Sequence, residues 1–210
     1  MTERSTAVAR LAASWLLSYP DSELLGRLDE IHAAVESLPE QTREPLLAFL
    51  DHVADTPLMQ LQQHYVAVFD MRRRACLYLT YWTDGETRNR GQALVRFKTA
   101  YRESGFEMGD DELPDHLAVV LEFAAVGDPL TGDAFLAEHR GPIGLLRDAL
   151  AKMDSAYVHV LDAVLATLPE LTDDIVARMA QLAASGPPVE QVGLEPFPTA
   201  PSLIEIGARR

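Results

Sequence analysis

Two stretches of this sequence concentrate side chains that could do chemistry. FDMRRRACLYLTYW (69–82) carries three consecutive arginines, Arg72, Arg73 and Arg74, and the chain's only cysteine, Cys76. GDDELPDHL (109–117) sets Glu112, Asp115 and His116 within five residues. Guanidinium groups fork to carboxylates and phosphates. The arginine run therefore admits three readings: an internal clamp onto acidic helices, a phosphate or nucleotide site, or a partner-facing surface. A carboxylate beside an imidazole suggests acid–base work. Asp115 and His116 sit in the first turn of a helix that Pro114 opens, where the dipole favours the acid. Neighbours on a helix point about 100° apart, and no nucleophile motif accompanies the pair. It reads as capping with a packed histidine, or as part of a binding site.

Metal chemistry finds little support. The six histidines are scattered, with no HExxH and no cysteine spacing to match. DPLTGDAFLAEH (128–139) has the outline of a calcium loop, but Leu130 and Gly132 stand at ligand positions and His139 replaces the closing glutamate. One cysteine permits no internal disulfide. Arg74 could lower its thiol pKa only if the sulfur were accessible. No P-loop or glycine-rich dinucleotide fingerprint is present.

Eighteen basic residues face 32 acidic ones in 210, a net charge of -14. That argues against nucleic-acid binding and suits a basic peptide as partner. The charge is segregated. Residues 71–102 hold eight basic residues, among them Arg88 and Arg90, against two acids; this net +6 leaves -20 for the rest. The segregation favours the clamp.

The elements that must position these residues are helical. Apolar residues recur at three and four along Val8–Leu16, Leu24–Val35, Leu46–Val53 and Leu58–Phe69, with breaks at Pro20, Pro39 and Pro57. Residues 75–82 are rich in β-formers but find no strand partner in sequence, so a short helix or irregular buried segment is expected. Thr87 caps a long helix ending at Gly105. Further helices are expected from Pro114, over 130–139, over 142–168 and over 172–184. The expected fold is one all-α bundle of eight or nine helices over 1–184. A proline-rich tail, 185–210, carries five prolines. No stretch is long and apolar enough for a membrane span, and the N-terminus makes a poor secretion signal, so a cytoplasmic protein is expected.

Residues 64–106, HYVAVFDMRRRACLYLTYWTDGETRNRGQALVRFKTAYRESGF, resemble the central signature of NarJ-type assembly chaperones of respiratory nitrate reductase (the delta subunit), within the TorD/DmsD group of redox-enzyme maturation proteins. ELPDHLAVVLEFAA (112–125) resembles the same family, and EHRGPIGLLRDAL (138–150) does so more loosely. The resemblance implies a non-enzymatic all-helical chaperone. Its implied partner is the apo molybdenum catalytic (alpha) subunit, including its N-terminal peptide. The client is kept competent for molybdenum-cofactor insertion before membrane docking, with cofactor-delivery proteins as further partners and no stably bound cofactor. In the wider group an aromatic-x-x-Leu-Phe motif binds peptide. Tyr65, Val68 and Phe69 match it, with valine for leucine. A Glu-Pro-x-Asp-His motif is matched by Glu112, Asp115 and His116, with the proline one place later at Pro114.

Overall fold

The computed structural model describes residues 1–109 and 112–169, together with positions 177, 180–182, 184 and 188. The helix expected over 172–184, the boundary at 184, the tail 185–210 and the acids Asp110 and Asp111 lie outside the described residues, those isolated positions excepted.

Among the described residues the chain is all-α: eleven α-helices, two π turns and one 3-10 turn. Helix α1 (Glu3–Leu17) opens on a capping box, in which Thr2 and Ser5 satisfy each other's backbone N–H. Its inner face is small, with Ala9, Ala12 and Ala13 buried beside Leu16 and Leu17, so other helices approach closely. It packs against α4 (Glu40–Asp55), α8 (Leu117–Glu122) and α11 (Tyr157–Ala166). Ser14 donates its hydroxyl to the Ala118 carbonyl at 2.7 Å, fixing α1 against α8.

The helix expected over 22–38 is two: α2 (Ser22–Gly26), capped by Asp21, and α3 (Leu28–Glu36). Gly26 bears the highest entropic cost of any residue in a helix, and the chain bends there. Arg27 anchors the bend with its guanidinium 4.5 Å from the Trp15 ring centre. Helix α5 (Leu58–Tyr65) runs into a π turn (Val66–Asp70), then a 3-10 turn (Arg73–Ala75) and α6 (Leu79–Asp84). Helix α7 (Arg88–Ser104) ends where Gly105 turns left-handed, φ 73°. After α8 come a second π turn (Phe123–Gly127), α9 (Pro129–Glu138), α10 (Arg140–Lys152) and α11.

The helix expected over 142–168 is interrupted at 153–156. Asp154 adopts φ 52°, and the N–H groups of Met153 and Ser155 both bond the Leu150 carbonyl. The break turns Ser155 inward to within 2.9 Å of His64 Nε2. Pro114 does not open a helix. It lies in a turn, and α8 begins at Leu117 with His116 as its cap.

Two aromatic clusters fill the interior. Phe97, Tyr101, Phe106, Phe123 and Phe135 pack where α7 and α9 meet the second π turn. Tyr19, Phe49, Tyr65, Phe69 and Tyr157 form the other.

Candidate functional site

Tyr65 and Phe69 of the second cluster form the floor of a cavity of about 360 Å³. Its apolar lining comes from Tyr65, Phe69, Leu77, Ala118 and Val119, its polar lining from Ser18, Asp70, Tyr78, Glu112 and His116, with Tyr19 beside them. A concave site where apolar surface meets converging polar groups is a common form of binding pocket, and here the two kinds of surface are about equal.

The π turn sets the floor. It begins one residue after Tyr65 and closes with the Met71 N–H bonded to the Val66 carbonyl, five residues back. Tyr65, Val68 and Phe69 are all buried. Tyr65 spends its hydroxyl on the Leu17 carbonyl at 3.2 Å, and burial raises its pKa. Its ring lies 4.8 Å from Phe69 and 5.4 Å from Tyr19, both edge-on. Phe69 rests on Tyr157 at 4.8 Å. With its hydroxyl engaged, Tyr65 offers the cavity its ring, as Phe69 does.

The polar wall is built from two segments remote in sequence. Tyr78 and His116 form an isolated antiparallel bridge. The Leu117 N–H bonds the Leu77 carbonyl, and the Leu79 N–H bonds the Asp115 carbonyl. The β-rich segment thus has a partner after all: a single rung with residues 115–117. The Asp115 carboxylate locks the rung. Its Oδ2 accepts from the Thr80 N–H at 3.1 Å and the Thr80 hydroxyl at 2.6 Å, and its Oδ1 has no hydrogen-bond partner. Asp115 is 0 % exposed and does not line the cavity.

Glu112 and His116 do face it. Glu112 Oε1 accepts from the Tyr78 hydroxyl and from the Leu113 N–H, each at 2.8 Å. Both bonds are to one oxygen, so Oε2 remains for a cation. His116 Nδ1 accepts from the Ala118 N–H at 3.3 Å, so the ring proton belongs on Nε2, 3.9 Å from Glu112 Oε2. Burial holds the His116 pKa below 6.5, against opposing pulls from Glu112 and Asp115. Burial, then the Glu112 bond, raises the Tyr78 pKa. The wall is thus a neutral imidazole, a neutral phenol and one carboxylate, with Asp70 as a second acid.

Of the six residues expected to bind a peptide, Tyr65, Phe69, Glu112 and His116 share one cavity. Val68 packs into the core behind it, and Asp115 braces it. Sequence reasoning missed Tyr19 and Tyr78. Tyr78 could have been found only by knowing that its segment pairs with 115–117.

Arg96 of α7 pairs with Glu138 of α9, but Arg72, Arg73 and Arg74 do not form the expected clamp. Arg72, Arg73 and Arg74 are exposed, and their side chains make no ion pair or hydrogen bond among the described residues. Their segment is fixed by other means. Ala75, Leu77, Leu79 and Trp82 are buried, and the Trp82 indole N–H bonds the Cys76 carbonyl. Arg90 does turn inward. Its guanidinium lies 5.7 Å and 5.9 Å from the Tyr78 and Tyr81 ring centres, and its Nε donates to the Thr80 hydroxyl at 3.4 Å. Arg88 is exposed at the first position of α7. Cys76 is half-buried, and burial raises its thiol pKa, outweighing Arg90. Among the described residues no group of histidine, cysteine and carboxylate side chains could hold a metal. No helix there is long and apolar enough to cross a membrane. The first acid of the calcium-like stretch, Asp128, caps α9 instead, and the other two, Asp133 and Glu138, pair with Arg10 and Arg96.

A family model described as the nitrate reductase delta subunit matches residues 35–163. The chain is 36% identical, over 161 residues, to a protein of Bacillus subtilis named as a probable nitrate reductase molybdenum cofactor assembly chaperone, NarJ; the match covers 76% of this chain and 88% of that one. It is 39% identical over 155 residues to the nitrate reductase-like protein NarX of Mycobacterium tuberculosis, covering 74% of this chain but only 23% of that longer protein. The fold is similar to a crystal structure from Archaeoglobus fulgidus assigned as a redox enzyme maturation protein, with a TM-score of 0.55 and 21% identity over 76% of this chain and 91% of that one. The Bacillus subtilis protein and a 31% identical NarJ of Escherichia coli are both named molybdenum cofactor assembly chaperones of nitrate reductase. The all-α bundle, the central signature and these matches agree: the chain belongs to the nitrate reductase delta subunit family of NarJ-type chaperones.

Proposed function

We propose that this chain is a dedicated assembly chaperone for the molybdenum catalytic (alpha) subunit of a respiratory nitrate reductase. It binds the apo subunit in the cytoplasm, including its N-terminal peptide. It keeps that client competent for cofactor insertion, helped by cofactor-delivery proteins, until membrane docking, and it holds no cofactor stably itself. The observation that carries this reading is the cavity in which Tyr65 and Phe69 form an aromatic floor beneath Glu112 and His116. Apolar peptide side chains would bury against the rings, while Glu112 Oε2 and Asp70 would take a basic residue of the same peptide. Two faces of an amphipathic segment are recognised by this means. Asp115 acts from behind, as the brace of Tyr78 and His116.

Calorimetry with the client's N-terminal peptide tests the site. Tyr19→Ala removes a half-exposed cavity ring without opening the core, and should weaken binding by about 1–3 kcal/mol. Glu112→Gln should weaken a peptide with a basic residue more than its alanine variant. Unchanged affinity in both proteins would overturn the assignment. Pull-down from cells lacking molybdenum cofactor should capture more alpha subunit than from replete cells. Equal capture would overturn the chaperone cycle.

A further inference from the structure

Three consecutive arginines in so acidic a protein need an anion, and the described residues supply none. Arg72, Arg73 and Arg74 follow the cavity's Phe69 and Asp70 after one residue, Met71, at the start of the 3-10 turn. Arg72 is extended, φ -129°, while Arg73 and Arg74 are helical. Successive residues of a 3-10 turn point about 120° apart, so Arg73 and Arg74 leave the backbone in different directions, and Arg72 precedes the turn in extended conformation. The neighbours are apolar. Met71 is 77 % exposed, and its N–H is bonded to the carbonyl of Val66, itself 37 % exposed. Met59, 69 % exposed, lies two helical turns before Val66. Methionine and arginine are the residues that protein interfaces favour. A phosphate would use the charges and leave this apolar strip wet. A nucleic acid would meet the -20 of the remaining chain.

We propose that Val66, Met71 and Arg72–Arg74 form a second docking surface, for an acidic amphipathic segment of a partner protein. Its carboxylates pair with the three guanidiniums, and its apolar face covers Met71 and Val66. The surface differs in sign from the Glu112 wall, so the two can hold oppositely charged segments side by side. The inference does not depend on what fills the cavity.

The test uses the full chain and a fluorescent amphipathic peptide with glutamates on one face and leucines on the other. Single-stranded oligonucleotide and inorganic pyrophosphate serve as competing probes. Anisotropy should report saturable binding of the peptide that weakens with salt. R72E/R73E/R74E should weaken it by roughly tenfold or more, and Met71→Ser should weaken it measurably. These side chains are exposed, so circular dichroism should show both variants folded. No binding of the acidic peptide, or equal binding by wild type and the triple variant, overturns the proposal. Arginine-dependent binding of oligonucleotide or pyrophosphate in preference to the peptide also overturns it, in favour of a phosphate site. A cationic client peptide titrated in parallel reports on the cavity alone, so either surface can fail without the other.

Discussion

Asp115 takes both bonds that Thr80 can offer through one oxygen and leaves its other oxygen unpartnered in the interior. Asp115→Ala would strip Thr80's buried N–H and hydroxyl of their acceptor. Such a loss costs about 1–3 kcal/mol, so the urea midpoint should fall. Tyr78 and His116 would lose their brace, so peptide affinity should fall with it. Glu112→Gln should behave differently. Glutamine keeps an acceptor for the Tyr78 hydroxyl and the Leu113 N–H, so stability should change by less than about 0.5 kcal/mol while a basic peptide is lost. If Asp115→Ala leaves the midpoint unmoved and still abolishes binding, the side chain meets the peptide directly and the bracing role fails. The motif's residue types were legible in the sequence; their division of labour was not. It depends on whether a helix starts at Pro114 or at Leu117, and that depends on a rung formed with residues 35 or more positions away.

Between elements, α9 lies so close to the second π turn that a Cβ on Gly132 would stand 2.4 Å from the Cα of Ala124. Backbone cannot yield as a side chain can, so Gly132→Ala should cost about 1–3 kcal/mol by overpacking. A denaturation curve checks this; an unchanged midpoint would mean that the helices can part. Asp128, which caps α9, gives a milder expectation: Asp128→Ala should lower the midpoint, and by less than Gly132→Ala does. Helix identity was largely legible from apolar spacing, and so were the ends at Pro20 and Gly105. The break at 153–156 was not, because no glycine or proline marks it; the turn is set by Ser155 meeting His64. The π turns were equally hidden, since each spans only five residues, too few for apolar spacing to reveal a local shift of register. In the β-rich 75–82 the expected short helix is there, as α6, after an irregular buried stretch; only the single rung with 115–117 was hidden.

For the whole molecule, charge and burial act on different pH ranges. His64, His116 and His139 all have pKa values held below 6.5, chiefly by burial. The unfolded chain therefore binds protons more readily than the folded one as pH drops through 6.5. The stability from these neutral imidazoles is fully present above that value and is lost below it. The two deeply buried rings, His116 and His139, contribute a slope of up to about 1.4 kcal/mol per pH unit each. Urea midpoints should thus be flat above neutrality and fall as pH drops from 6.5 towards 5. A flat profile across that range would mean that the histidines protonate without unfolding. The first π turn has a consequence of another kind. It spends five residues where an α-helical turn would spend four, so the chain from Tyr65 to Arg72 carries one residue of surplus length. Deleting Ala67 would regularise the helix and rotate everything after it by about 100°, carrying Phe69 off the cavity floor and swinging the arginines away from their face. What is specified there is a count: a substitution at Ala67 is cheap, and a deletion would unmake both surfaces at once.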